Sequence, residues 1–470
     1  MSRGDWSGPF SGVSRPCYAL AALLRIVIVG GGQVGASLAR ALSADHEVVV
    51  VDQDPHVEDV FQSIDVEFLL GSGTNEEVLA RAGVAGCGFF VAATGLDEVN
   101  IVACALANRL GQPQTICLVS RAEFLDSAGA GGGLAAFGVN RVIWPEAQLA
   151  ADIERIVTAP GAIDAEVFAG GVMRLLEYRL DEGSALTSGP VSTLHLPRGA
   201  LIVAVKRAGR IFVPRGTTQL ASGDKVIVMG TPEAMQAVEA RVHPGRTGGR
   251  LQVTIIGGGD VGFQLAQRLE QIPSIDLRIL ERGAERGAVL AASLSRTLVL
   301  NGDGTDLEFL ESENVGRSDV LVSVIDNDER NLLASLLGRQ LGVPKVITRV
   351  GRPANLRLFE RVGIDVAISA RGAAVVSILH QITGGATSLL AVVEHGEARV
   401  FELTVKPTFV SRPLKQMGTG EDAIVAAILR GEQAIVPRGD ELVHPGDHLL
   451  VFCTQEAADR VRGYFTREAS

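Results

Sequence analysis

The chain has 470 residues, of which 47% are hydrophobic but only 4% aromatic, and its formal net charge is −11. At roughly 100–200 residues per domain this predicts two to four domains with cores of Val, Leu, Ile and Ala, and the acidic balance excludes a nucleic-acid binder, which needs cationic patches against phosphate. No apolar run reaches the about 20 residues of a spanning helix. The five cysteines, at 17, 87, 104, 117 and 453, form no CxxC pair or Cys/His cluster, so they read as buried small hydrophobes in a reducing cytosol.

Residues 1–24 hold Arg3, Arg15 and the short apolar ALAALL. They read as a disordered extension or a misplaced start, because the next motif leaves no room for a signal-peptide cleavage region. Over 25–42, RIVIVGGGQVGASLARAL predicts a strand, a tight turn and a helix. Gly30, Gly32 and Gly35 fit G-x-G-x-x-G: the first allows the turn, the second lets backbone approach a pyrophosphate, and the third lets helix and strand pack closely. Asp52 follows Gly32 by 20 residues at the end of VVVV. An acid there accepts hydrogen bonds from ribose hydroxyls and repels a 2′-phosphate, favouring NAD(H) or an adenine nucleotide over NADP(H). GSGTNEEVL (71–79) ends a third strand and FFVA (89–92) forms a fourth. Thr94 and Gly95 then stand where strand ends of an open sheet meet a ligand, while Asp97 and Glu98 open a helix as charges favoured by its macrodipole. Pro145 and Glu146 open a helix leading to a smaller module. That module reads as short strands, MRLLEYRL, ALIVAVKRAG, RIFVPRG and DKVIVMGT, followed by the helical TPEAMQAVEARV.

HPGRTGG (243–249) is a linker, after which the chain repeats itself. QVTIIGGGDVGFQLAQRL (252–269) matches the opening motif, with Gly30 mapping to Gly257 at an offset of 227. Asn100 maps to Asn331 at 231 and Pro214 to Pro437 at 223. Landmarks that keep their order within a few residues of one period mark a tandem duplication. The second fingerprint is Gly257, Gly259 and Gly262, with Glu281 placed 22 residues after Gly259. Ile325 and Asp326 correspond to Thr94 and Gly95, and Asp328 and Glu329 to the helix-opening acids. In GDGTDLEFL (302–310) Asp303 stands where the first half has Ser72, so the two halves are not equivalent there.

GGGQVGASLA, VVDQD, LDEVN, VPRG…GD and the doubled plan resemble the TrkA family, the regulatory subunits of Trk potassium uptake systems. The resemblance covers about residues 24–468. It implies an α/β fold of two tandem Rossmann-like RCK_N domains, each followed by a small α+β RCK_C domain. The expected boundaries are RCK_N at 25–145 and 251–370, RCK_C at 160–242 and 385–468, and a linker at 243–250. It implies binding of NAD(H), with ATP and ADP as further candidates. The nucleotide residues carried over are Gly30, Gly31, Gly32, Gln33, Val34, Gly35, Asp52, Thr94 and Gly95. In the second half they are Gly257, Gly258, Gly259, Asp260, Val261, Gly262, Glu281, Ile325, Asp326 and Arg349. It further implies a homotetrameric ring, cytoplasmic and peripheral on the inner face of the membrane, beneath a membrane-embedded potassium-translocating subunit of Trk or Ktr type.

A nicotinamide enzyme needs an acid or base near the reacting carbon and a substrate pocket. The eight histidines lie beside strands, in the small modules, in the linker or in the helical ILHQI, and no GxSxG, HExxH or Cys/His dyad occurs. Two binding domains, each with a small module suited to pairing, leave no dedicated substrate domain. The chain therefore reads as a sensor in which nucleotide shifts a ring between states, and not as an enzyme. The competing reading is an NAD-dependent oxidoreductase of unknown substrate.

Overall fold

The computed structural model describes residues 23–43, 46–124, 133–159, 161–242, 250–352, 355–382, 387–393, 397–417, 420–431, 433–458 and 460–461. The extension read over 1–24, apart from its last two residues, and the linker read over 243–250, apart from Arg250, lie outside the described residues.

The first module runs β1 (Arg25–Val29), α1 (Gln33–Leu42), β2 (Glu47–Asp52), α2 (Glu58–Phe61), β3 (Glu67–Leu70), α3 (Glu76–Arg81), β4 (Phe89–Ala92), α4 (Asp97–Gly111), β5 (Gln114–Leu118) and β6 (Arg141–Ile143). Its strands form a parallel sheet in the order β3-β2-β1-β4-β5-β6. That order places a crevice where the chain reverses direction, between β1 and β4. The near-continuous apolar runs follow from burial on both faces. Ile26, Ile28, Val48 and Val50 join one core cluster, and Val27, Val29, Val49 and Val51 join another on the opposite face.

Helix α5 (Pro145–Val157) starts with proline as its first helical residue, where the missing N–H is no loss. It leads to β7 (Ala162–Phe168), β8 (Met173–Arg179), β9 (Ala200–Arg207), β10 (Arg210–Phe212), β11 (Lys225–Gly230) and α6 (Pro232–Val242). These strands make an antiparallel sheet, β10-β9-β11-β8-β7. Strand β7 carries no clean alternation in sequence. A register shift between Ala162 and Asp164 leaves Ala162, Ala165 and Phe168 as its buried residues, a spacing of three.

The second half repeats the plan with β12 (Leu251–Ile256), α7 (Asp260–Leu269), β13 (Ile275–Glu281), α8 (Ala284–Ser293), β14 (Leu298–Asn301), α9 (Leu307–Ser312), β15 (Val320–Ser323), α10 (Asp328–Gln340), β16 (Lys345–Arg349), α11 (Leu356–Arg361) and β17 (Val366–Ile368). The parallel order is again 3-2-1-4-5-6 in kind, β14-β13-β12-β15-β16-β17. Helix α12 (Ala370–Ile382) precedes β18 (Thr387–Val393), β19 (Ala398–Thr404), β20 (Arg412–Pro413), β21 (Ala423–Arg430), β22 (Gln433–Ile435), β23 (Leu442–Val443) and β24 (His448–Thr454). Of these, β18-β19-β24-β21-β22 form the second antiparallel sheet, and β20 pairs with β23.

The halves exchange their connecting helices. Ala374, Ile378, Leu379 and Ile382 of α12 pack beside α1 on the first parallel sheet. Leu149, Ala150, Ile153 and Ile156 of α5 pack beside α7 on the second. Lys345, buried at the start of β16, donates from Nζ to the carbonyls of Ile156 (2.6 Å) and Ala159 (3.3 Å). A cation thus satisfies the C-terminal carbonyls of the exchanged helix, where the macrodipole favours it. The two antiparallel sheets also share a core, in which Met173, Leu175, Ile227 and Met229 meet Val400, Ala427, Leu450 and Phe452. The small modules therefore pair within one chain.

The GD of the VPRG…GD motif is structural. The GD aspartates, Asp224 and Asp447, each hold an arginine of the neighbouring hairpin in a two-pronged pair. Arg207 donates Nε and Nη2 to Asp224 at 2.8 and 2.6 Å, and Arg430 does the same to Asp447 at 2.8 and 2.8 Å. Backbone N–H groups of Ala221 and His444 add a bond of 2.8 Å to each carboxylate. Burial alone would raise both carboxyl pKa values; the guanidinium and the backbone donor outweigh it and hold them below the ordinary range. A depressed carboxyl contributes stability that is present above its unfolded pKa of about 3.8 and fades as pH falls through the folded value. Asp447→Asn is expected to lower stability by about 1–3 kcal/mol near neutrality, discounted because Arg430 is part-exposed. Thermal melts should then show a smaller wild-type-to-variant gap below pH 3 than at pH 7; an unchanged gap overturns the assignment.

Candidate nucleotide-binding sites

Both glycine-rich loops have the geometry that their sequences require. Gly30 and Gly257 take φ of +103° and +106°, a region that favours glycine. A Cβ on Gly35 would stand 1.9 Å from the carbonyl oxygen of Gly30, and one on Gly262 equally close to that of Gly257. Around Gly32 and Gly259 a Cβ would meet nothing within 4 Å. So one glycine of each set closes helix against strand, and another leaves open space before the helix start. Val34 and Val261 are buried, so only their backbone faces that space. The first intrahelical bond in α1 runs from Ala36 N–H to Gly32, and in α7 from Phe263 N–H to Gly259. The preceding N–H groups lie at the positive end of the helix, the arrangement that binds anions.

The acids at the second strand ends brace the loops. Asp52 accepts from Gly31 N–H at 2.6 Å and Asp54 N–H at 2.9 Å. Glu281 accepts from Gly258 N–H at 2.8 Å and Gly283 N–H at 2.7 Å. The Gly31 and Gly258 N–H groups therefore point to the acid. Each carboxylate oxygen retains a second lone pair for a ribose hydroxyl.

After the fourth strands, Thr94 and Ile325 are fixed by an asparagine that carried no role in the sequence reading beyond its place in the repeat. Asn100 accepts from Thr94 N–H (2.9 Å) and Thr94 Oγ1 (2.7 Å) and donates to the carbonyls of Thr94 (3.2 Å) and Leu118 (3.0 Å). Asn331 accepts from Ile325 N–H (2.8 Å) and Ser323 Oγ (2.9 Å) and donates to the carbonyls of Ile325 (2.7 Å) and Arg349 (3.0 Å). Gly95 is exposed beside Thr94, with nothing within 4 Å of an added Cβ. Asp97 and Asp328 do stand in the first turns of α4 and α10, but their side chains reach further than helix-end charges. Asp97 accepts from Ser120 and Arg121 N–H at 2.9 and 3.0 Å, and Asp328 from Gly351 N–H at 2.6 Å, tying each helix to the loop after the fifth strand.

Arg349 meets Asp326, Nη2 to Oδ1 at 2.9 Å, on the wall of a cavity of about 290 Å³ that also includes Ile325, Asp328, Gly351 and Arg371. In the first half Arg121 is committed to Asp97, Glu98 and Glu123. Asp303 is consumed by Thr305 and by Arg330 Nη2 at 2.6 Å, and no cluster of metal-ligating side chains exists among the described residues. Arg282 is largely exposed, 3.8 Å from Asp303.

The helix exchange brings two further residues to the loops. Arg371, second in α12, donates Nη1 to Gln33 Oε1 at the first loop. Its counterpart Glu146, second in α5, lies within electrostatic reach of Asp260 and Arg349 at the second loop. Burial pushes the Glu146 carboxyl above the ordinary range, Asp260 and Asp97 act in the same direction, and Arg349 opposes them. Neither the Arg371–Gln33 bond nor the placement of α5 beside α7 is legible in sequence, because each depends on which sheet the helix covers.

Among the described residues, a histidine faces a carboxylate in the second small module. His448 Nδ1 lies 3.0 Å from Glu402 across β19 and β24. Lys225 and Glu177 form the matching pair in the first small module, at 3.1 Å. The position is a cross-strand polar pair in both small modules.

Family models agree with this architecture. A model described as the TrkA-N domain matches residues 26–145 and 253–370, and one described as the TrkA-C domain matches 175–243 and 399–466. The chain is 38% identical over 451 residues to Trk system potassium uptake protein TrkA homolog 1 of Methanosarcina mazei, covering 94% of this chain and 100% of that relative. It is 29% identical to Trk system potassium uptake protein TrkA of Haemophilus influenzae, covering 92% and 96%. Among solved structures, the GsuK RCK domain superposes with a TM-score of 0.57 at 20% identity, over 95% of this chain and 96% of that one. The GsuK channel bound to NAD gives the same TM-score and identity, over 95% and 80%. At that identity these likenesses bear on the fold.

Proposed function

The chain belongs to the TrkA family, and from that premise we propose that it works as a nucleotide-binding regulatory subunit of a potassium uptake system. The observation that carries the reading is the doubled loop, each copy ending in an open helix start and braced by a carboxylate at the second strand end. NAD(H) is the proposed ligand, with ATP and ADP as alternatives. The residues proposed to hold it are the two glycine-rich loops, Asp52 and Glu281, the Thr94–Gly95 and Ile325–Asp326 strand ends, and Arg349. The module boundaries read from the sequence are proposed to delimit the working units. The role proposed is regulatory and not catalytic; the relatives' names assign them to potassium uptake. The partner is a membrane-embedded potassium-translocating subunit; among the described residues no helix is long and apolar enough to cross a membrane. Assembly into a cytoplasmic ring of four chains on the inner membrane face completes the proposal.

Asp52→Ala or Glu281→Ala removes both the ribose acceptor and the brace on the loop. Each is expected to weaken binding of the nucleotide at its own site, NADH or ATP, roughly 10- to 100-fold, the loss of a charge-assisted hydrogen bond. Titration of the full chain, followed by nicotinamide fluorescence or, for ATP, by calorimetry, measures this, and unchanged affinity in both variants sinks the ribose assignment. Co-reconstitution with the membrane subunit should make potassium flux nucleotide-dependent. Steady NADH oxidation over a panel of hydroxy and amino acids would instead support the oxidoreductase.

A further inference from the structure

The two loops differ in charge, and the exchanged helices double the difference. At the first loop the opening residue of α1 is neutral, Gln33, and the first turn of α1 holds no acid. The side chain facing it from the other half is cationic, Arg371. At the second loop the opening residue of α7 is Asp260, and α5, which packs beside α7 from the other half, carries an acid, Glu146, in its first turn. Arg286 offsets Asp260 in part, with Nη2 3.7 Å from its carboxylate, but its Nε is held by the carbonyl of Gly258 at 2.7 Å. Arg349 is shared with Asp326. Arg371, by contrast, rests on two neutral acceptors, Gln33 Oε1 and the carbonyl of Gly351 at 3.5 Å. The cavity wall it shares also carries Asp326, paired with Arg349, Asp328, which accepts from the Gly351 N–H, and Glu329.

On the reading that both loops hold nucleotides, we infer that the first loop takes a nucleotide ending in a free di- or triphosphate, with Arg371 of the second half as the group that binds its terminal phosphate. The second loop, with an acid at its helix start where the first has an amide, takes only a ligand whose phosphates are internal to a dinucleotide. A terminal phosphate adds roughly two negative charges. An arginine that exchanges neutral acceptors for phosphate oxygens gains charge-assisted, fork-shaped hydrogen bonds. Asp260, at the start of α7, meets the same phosphate with like charge. The two sites of one chain thus sense different nucleotides, and because α12 belongs to the second half, occupancy of the first site couples the halves.

The test uses the full-length protein and calorimetric titration with ATP and, separately, NADH. Wild type should bind one ATP per chain. Arg371→Ala should weaken ATP roughly 10- to 100-fold while leaving NADH affinity nearly unchanged, and Arg371→Glu should weaken ATP further. The double variant Glu146→Arg with Asp260→Gln should raise ATP stoichiometry from one to two. Two equal ATP sites in wild type, or an Arg371→Ala variant whose ATP and NADH affinities move together or not at all, overturns the inference. Absence of binding of either nucleotide to wild type is a different result, and sinks the nucleotide reading itself.

Discussion

Valine at Gly35 or Gly262 is expected to unfold the module that carries it, whereas valine at Gly32 or Gly259 leaves the fold in place and abolishes nucleotide binding alone. A Cβ at Gly35 or Gly262 would lie 1.9 Å from a main-chain carbonyl oxygen of the preceding turn. Backbone cannot swing aside as a flexible side chain can, so the helix must lift from the strand. Overpacking usually costs about 1–3 kcal/mol, and this contact belongs at or above the top of that range. Gly32 sits at φ −65° and ψ −164°, which any residue adopts, and Gly259 at −66° and −166°. Valine there loses only a favourable helix cap, about 1 kcal/mol. Its side chain nevertheless fills the space into which the first helical N–H groups point. Thermal unfolding and nucleotide titration of the four variants separate the two outcomes. A stable Gly32→Val and Gly259→Val double variant that still binds NADH and ATP would show that no pyrophosphate approaches these loops.

The contrast between those glycines was legible in sequence, because spacing alone assigns the close-packing and the open position. The parallel strands were legible for a similar reason: runs such as VVVV have no polar face to show solvent, so they belong inside a covered sheet. The acids at 52 and 281 were found by distance from the glycines, although their bonds to Gly31 and Gly258 were not. What sequence did not reveal depends on packing across the repeat. The apolar face of α5 reads identically whether it covers its own sheet or the other half's. With the exchange unseen, Glu146 looked like a helix-opening charge, and Arg371 carried no signal. Lys345 reaches the carbonyls of Ile156 and Ala159 across more than a third of the chain, a contact no local pattern encodes. Strand β7 escaped because its register shift breaks the period of two by which strands are recognised.

Asn331→Leu tests whether the strand-end loops are held ready for ligand. Asn331 is 1% exposed and makes four hydrogen bonds, to Ser323, to both backbone groups of Ile325 and to the carbonyl of Arg349. Leucine has the same branched heavy-atom skeleton, though a bulkier one, and offers no donor or acceptor. Three backbone groups then lose their partner in a buried setting, at about 1–3 kcal/mol each and not strictly additive, so a total of about 3–6 kcal/mol is expected. The same bonds fix the turn that carries Asp326 and the end of the strand that carries Arg349. Nucleotide affinity at the second site should therefore fall even well below the melting transition. Arg349→Ala is the control: its partner Asp326 is 91% exposed, so the pair contributes little to stability, and affinity should fall without a shift in melting. Asn100→Leu should repeat the pattern at the first site, since Asn100 holds Thr94 and Leu118 in the same way. If Asn331→Leu lowers the melting temperature but binds nucleotide as wild type does when folded, the loop reaches its ligand-bound shape without the bracket, and Asn331 serves the fold alone.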